Sequence, residues 1–167
     1  MADTDTNTAP VPSPIFSPED PLNELWVRAF QGEVLGEALF ANIADTLDDP
    51  ERARKMRVLS KLEQRTKEAI APSLERAGID TEPDPEMFAL ADALSQGVAW
   101  DAFLSATQSI TEQYIPLYQR IGELDPSEQA ASDLLVAHEA ALRAFARAEL
   151  AGDGNSLDAI YALAHMA

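Results

Sequence analysis

The chain contains no cysteine, and that absence closes several chemistries at once. Disulfide frameworks, cysteine zinc sites, iron–sulfur clusters and thiol nucleophiles all need a residue that is missing. Glycine is scarce, 7 of 167 residues, and no Gly-rich phosphate loop, nucleophile elbow or His-Glu-x-x-His motif occurs. Positive charge is scarce too: 12 Lys and Arg against 29 Asp and Glu give a formal net charge of −17. So acidic a chain, with few clustered cations, is a poor partner for nucleic acid or an anionic membrane surface, and neither is expected. Long apolar runs are absent as well. The best candidate, Met87 to Ala91, is stopped by Asp92, far short of the roughly 20 residues that span a bilayer. The opening residues lack the cationic start and apolar core of a secretory signal, so a cytoplasmic protein is expected.

What the chain has is helical periodicity. Residues 1–20 stand apart: Pro10, Pro12, Pro14, Pro18 and Pro21 lie in or beside this stretch, and it has no basic residue. That composition predicts a disordered or extended tail, with Ile15 and Phe16 the only residues suited to docking. Residues 21–167 read as a single domain. A first helix is expected from Pro21 to Thr46, its apolar residues Leu22, Leu25, Trp26, Ala29, Phe40, Ala44 and Leu47 keeping a three/four spacing. Asp48-Asp49-Pro50 breaks it and caps a second helix, Pro50 to Ala77, with Met56, Leu59, Leu62, Ile70 and Leu74 inward and a bend expected at Pro72. A short helix is predicted over Glu86–Leu94. A third long helix follows over Val98–Ile121, with Trp100, Phe103, Leu104, Ile110, Tyr114, Leu117 and Tyr118 on one side and a kink or local end at Pro116. A fourth opens at Asp125-Pro126-Ser127 and runs to Leu150, and a last short helix carries Leu157, Ile160 and Leu163. With no period-two pattern anywhere, the expectation is an all-α protein, an antiparallel four-helix bundle with short extra helices.

Seven of the twelve basic residues fall in one stretch of the second helix, from Arg52 to Lys67. They read either as a docking face for an anionic partner or, the plainer reading, as a solvated face paired with the chain's own acids. Gly32 and Gly36 form a small-xxx-small face that suits close helix packing or a subunit contact. Glu139, Glu149 and the terminal His165 are expected to be solvated.

The informative residues are polar ones on apolar stripes. Glu33 lies seven residues from both Trp26 and Phe40, and Glu37 follows one turn on. Glu63 lies seven residues from both Met56 and Ile70, with Thr66 beside it. His138 sits between Leu134 and Leu142 on the face of Phe145, and Thr107 and Thr111 fall on the apolar side of the third helix. Buried carboxylates take up a proton or find a cation, and no lysine or arginine shares these stripes. Glu33, Glu37, Glu63 and His138 are therefore the candidate metal ligands. Their carboxylates and one imidazole suit iron, manganese or zinc. The alternative is a metal-free hydrogen-bond network that specifies packing.

These residues resemble the ferritin-like superfamily, in particular rubrerythrin-type helix pairs. Phe30-Gln31-Gly32-Glu33 is similar to that family's first-helix segment, where the glutamate is an iron ligand. Leu62-Glu63-Gln64-Arg65-Thr66 is similar to the second-helix segment, and Ala137-His138-Glu139 to the fourth. A dinuclear site needs Glu-x-x-His on each of two helices. Here Thr66 stands in place of one histidine and Leu135 in place of one glutamate. The third-helix glutamate of the family would match Glu112, which periodicity puts off the apolar stripe unless a bulge at Pro116 turns it inward. The resemblance thus implies half of a dinuclear centre: a single iron or manganese ion with redox or oxygen chemistry, or a relic without metal. The competing function is a non-catalytic bundle acting by association, most simply as a symmetric homodimer. The sequence names no substrate.

Overall fold

Each long stretch of three/four-spaced apolar residues is an α-helix in the computed structural model, which describes Ser17 and residues 19–164. The expected disordered tail, apart from Ser17, Glu19 and Asp20, lies outside the described residues, as do Ile15, Phe16 and His165. The helices are α1 (Leu22–Thr46), α2 (Pro50–Arg76), α3 (Pro85–Leu94), α4 (Trp100–Leu124), α5 (Gln129–Leu150) and α6 (Asp158–Ala164), with one 3₁₀ turn at Pro126–Glu128. The described residues contain no strand, and none of their helices is long and apolar enough to cross a membrane.

The boundaries follow local chemistry. Pro21 immediately precedes α1. Asp49 accepts bonds from the backbone N–H groups of Glu51 (2.9 Å) and Arg52 (3.1 Å), capping α2 ahead of Pro50 at its first position. Gly78, at φ +71°, closes α2: its N–H and that of Ile79 donate back to the carbonyls of Glu75 and Leu74, a Schellman motif that needs the left-handed backbone. Gly152 ends α5 in the same way, through Glu149 and Ala148. Pro72 and Pro116 are both accommodated inside continuous helices, so α4 does not end at Pro116.

α1 and α2 form one antiparallel hairpin, α4 and α5 a second. The hairpins pack so that α1 also meets α4 and α2 also meets α5. Antiparallel neighbours are tied at matching depths: Lys67 to Glu37 (α2–α1), Phe103 to Phe40 (α4–α1), and Lys55 to Glu149 (α2–α5). The connection from α2 to α4 runs back along α1, held by Gln31 to Glu82 and Asp84 and by Asn42 to Asp92. It is the one long crossover, and α3 lies within it.

The apolar core is in two parts. One holds Phe40, Met56, Leu59, Leu104, Leu142 and Phe145, with α6 adding Leu157, Ile160 and Leu163. The other holds Trp26, Phe30, Ile70, Leu74, Ile121 and Leu135. Between them, in the middle of each long helix, lies a buried polar layer: Glu33, Glu63 with Thr66, Thr111, and His138. Ile110, expected inward, is 37% exposed, because Thr107 and Thr111 take the core-facing positions on that part of α4. Six basic residues of α2 pair with the chain's own acids: Arg52 with Asp49, Arg54 with Glu51, Lys55 with Glu149, Arg57 with Asp45, Lys67 with Glu37 and Arg76 with Glu128.

Candidate metal centre

Three helices each deliver one side chain to a common point. Glu33 comes from α1, Glu63 from α2 and His138 from α5, each no more than 4% exposed as a residue. Their ligating atoms all lie within 4.8 Å of one another. His138 Nε2 is 3.2 Å from Glu63 Oε1 and 3.7 Å from Glu33 Oε2. The opposite ring nitrogen, Nδ1, is 2.8 Å from Thr66 Oγ1. With Thr66 holding Nδ1, the imidazole presents Nε2 to the carboxylates.

The carboxyl groups of the site are short of hydrogen-bond partners. Glu33 Oε2 is buried without a hydrogen-bond partner. Burial raises the Glu33 carboxyl well above the usual range, and the neighbouring Glu63 raises it further against the opposing influence of His138. Burial likewise lifts Glu63 to about 8, the bond to Glu33 acting in the other direction. Two carboxyl groups so placed share a proton, or they neutralise a divalent cation.

Gly36 makes room for this arrangement. A Cβ built on it would fall 2.4 Å from Glu63 Oε2 and 2.6 Å from its carboxyl carbon. Gly32 is less constrained, its nearest neighbour being the Tyr118 hydroxyl at 3.7 Å. Of the two, it is Gly36 that cradles a candidate ligand.

Glu37 does not join the group. Its side chain, 31% exposed, pairs with Lys67, and its backbone carbonyl accepts from Ser60 Oγ. It follows Glu33 by one turn, but it points to the α1–α2 seam, where a cation is already available. Glu112 is outside as well: its side chain is 64% exposed and lies 3.8 Å from Arg143, since α4 runs through Pro116 without turning it inward. Leu135 is fully buried in the apolar cluster next to the site.

Glu139 overturns an expectation. It is buried, with its carboxyl lifted to about 8, first by burial and then, against His138, by Glu33 and Glu63. α5 has α2 on one side and α4 on the other, so residues 138 and 139, about 100° apart, both face inward. Burial, and after it the neighbouring Glu139, raises the phenol of Tyr118, which is stacked on Tyr114 at a centroid distance of 5.9 Å. Glu149, also expected in solvent, has its side chain 8% exposed and bound to Lys55 at 2.5 Å. A single narrow apolar stripe on α5 leaves both residues in water, whereas a helix packed on two sides buries more of its circumference.

No family model, curated protein or solved structure matches the chain. The functional reading rests on the geometry of the site itself.

Proposed function

We propose that the chain is a ferritin-like four-helix bundle that holds one divalent cation between Glu33, Glu63 and His138. The observation that carries this reading is Glu33 Oε2, a buried carboxylate oxygen with no donor, facing an imidazole nitrogen and a second buried carboxylate. The single long crossover between two antiparallel hairpins supports the bundle topology. The donors fit the group: two carboxylates balance a divalent charge, and an imidazole fixed through its other nitrogen supplies a neutral ligand. Iron or manganese bound there would supply one-electron redox or oxygen chemistry. Around it Thr66 holds the ring in place through Nδ1, Gly36 gives the Glu63 carboxylate its place, and the two apolar clusters exclude water.

A metal-free bundle whose polar layer only specifies packing is the second reading. One observation favours it: the Glu33 and Glu63 carboxyls lie close enough to share a proton. Loading the untagged protein with Fe(II), Mn(II) or Zn(II), removing free metal and counting ions by elemental analysis separates the two. The proposal expects one ion per chain, lost in a folded Glu63→Ala variant. No retained ion, or equal retention by the variant, overturns it.

A further inference from the structure

The wall nearest this site is open at one place. A cleft of about 470 Å³ lies between α2, α5 and α6, walled by Leu62, Ala69, Leu134 and Leu163. Its lining includes Thr66, the residue bonded to His138 Nδ1. Its polar edge is formed by Arg65 and Glu68. Arg65 is exposed and has no ion-pair or hydrogen-bond partner among the described residues, unlike Arg52, Arg54, Lys55, Arg57, Lys67 and Arg76 of the same helix. Glu68, three residues on, is not paired with it and accepts instead from the Gln64 amide at 3.1 Å. In a chain of net charge −17, a guanidinium left free beside an apolar cleft is an anchor for an anion from outside.

We propose that this cleft binds an amphipathic monocarboxylate, its head on Arg65 and its apolar body along Leu62, Ala69 and Leu134 toward Thr66. The volume falls within the range of small-molecule sites, and mostly apolar walls with a few polar groups at the edge are the usual composition of such sites. Charge decides the class of ligand. A carboxylate satisfies Arg65, which has no partner among the described residues, whereas an amine meets its repulsion and finds only Glu68, which already accepts from the Gln64 amide. Because Thr66 belongs to both the cleft and the His138 bond, an occupant there reaches the imidazole through one side chain. The inference rests on the metal-centre reading only for what that contact serves.

Octanoate titrated into the metal-free protein tests this by calorimetry and by the His138 imidazole resonances, isolated in a His165→Gln background. Saturable binding that moves those resonances is expected. Arg65→Gln, an exposed substitution, should weaken it about tenfold or more. Ala69→Trp, which fills the cleft from an exposed position, should abolish it, and octylammonium should bind more weakly than octanoate. No saturable octanoate binding overturns the inference. So do equal affinity in Arg65→Gln, equal binding of octylammonium, or unmoved His138 resonances. Since no metal is present, a failure here is distinct from a failure to retain a cation.

Discussion

Thr66 and His138 meet across the α2–α5 interface, hydroxyl oxygen 2.8 Å from Nδ1, both almost fully buried. A threonine on the stripe of Glu63 thereby orients the imidazole that faces Glu63, and Nε2 is left as the nitrogen available to a cation. A metal-bound histidine whose other nitrogen loses its partner loses both orientation and basicity.

Thr66→Val keeps the shape and removes the hydroxyl. We expect cation affinity to fall by about 10- to 100-fold, with Thr66→Ser retaining most of it. Competition against a chelating indicator measures both. Unchanged affinity in Thr66→Val would show that the bond to His138 does not support the site.

The two glycines of α1 make opposite predictions. Gly36→Ala puts a methyl group into the space of the Glu63 carboxyl, so it should lower cation affinity by about tenfold or more, as ligand displacement does. Gly32→Ala meets only an ordinary contact at 3.7 Å. It should leave affinity unchanged and stabilise the helix by roughly 0.5–1 kcal/mol. Chelator competition and thermal melts of the two variants check the contrast.

Stability of the metal-free protein should fall as pH rises. Glu63 and Glu139 have folded-state values near 8 against an ordinary 4.5. Between those values the unfolded chain has released protons that the folded chain keeps, so rising pH favours unfolding. Their contribution is complete below about pH 4.5 and lost as pH passes about 8. Urea midpoints from pH 5 to 8.5 in a chelator should show the decline. Glu139→Gln, which mimics the neutral acid, should make it shallower, leaving the share of Glu63. A bound divalent cation replaces the protons on Glu63 and Glu33, so added metal should stabilise the protein more at pH 8 than at pH 5.

Much of this was legible in the sequence. The cap at Asp49, the long helices, and the inward placement of Glu33, Glu63 and His138 follow from periodicity and turn chemistry. Glu37 and Glu139 were assigned to the wrong sides because a stripe gives a residue's angle on its own helix but not the width its neighbours cover. Lys67 sits where it draws Glu37 to the seam, and α4 covers the flank of α5 that carries Glu139. Gly36 was visible as a small residue; that it accommodates Glu63 depends on helix–helix register, which no single-helix pattern contains.

The most direct test of a cation held by Glu33, Glu63 and His138 is pulsed electron paramagnetic resonance of the Mn(II)-loaded protein. The chain has two histidines, so a coupled imidazole nitrogen can be assigned by substitution. The account predicts one imidazole nitrogen coupled to one Mn(II) per chain, retained in His165→Gln and lost in His138→Gln. A spectrum of aqueous Mn(II) alone, or a nitrogen coupling that survives in His138→Gln, would contradict it.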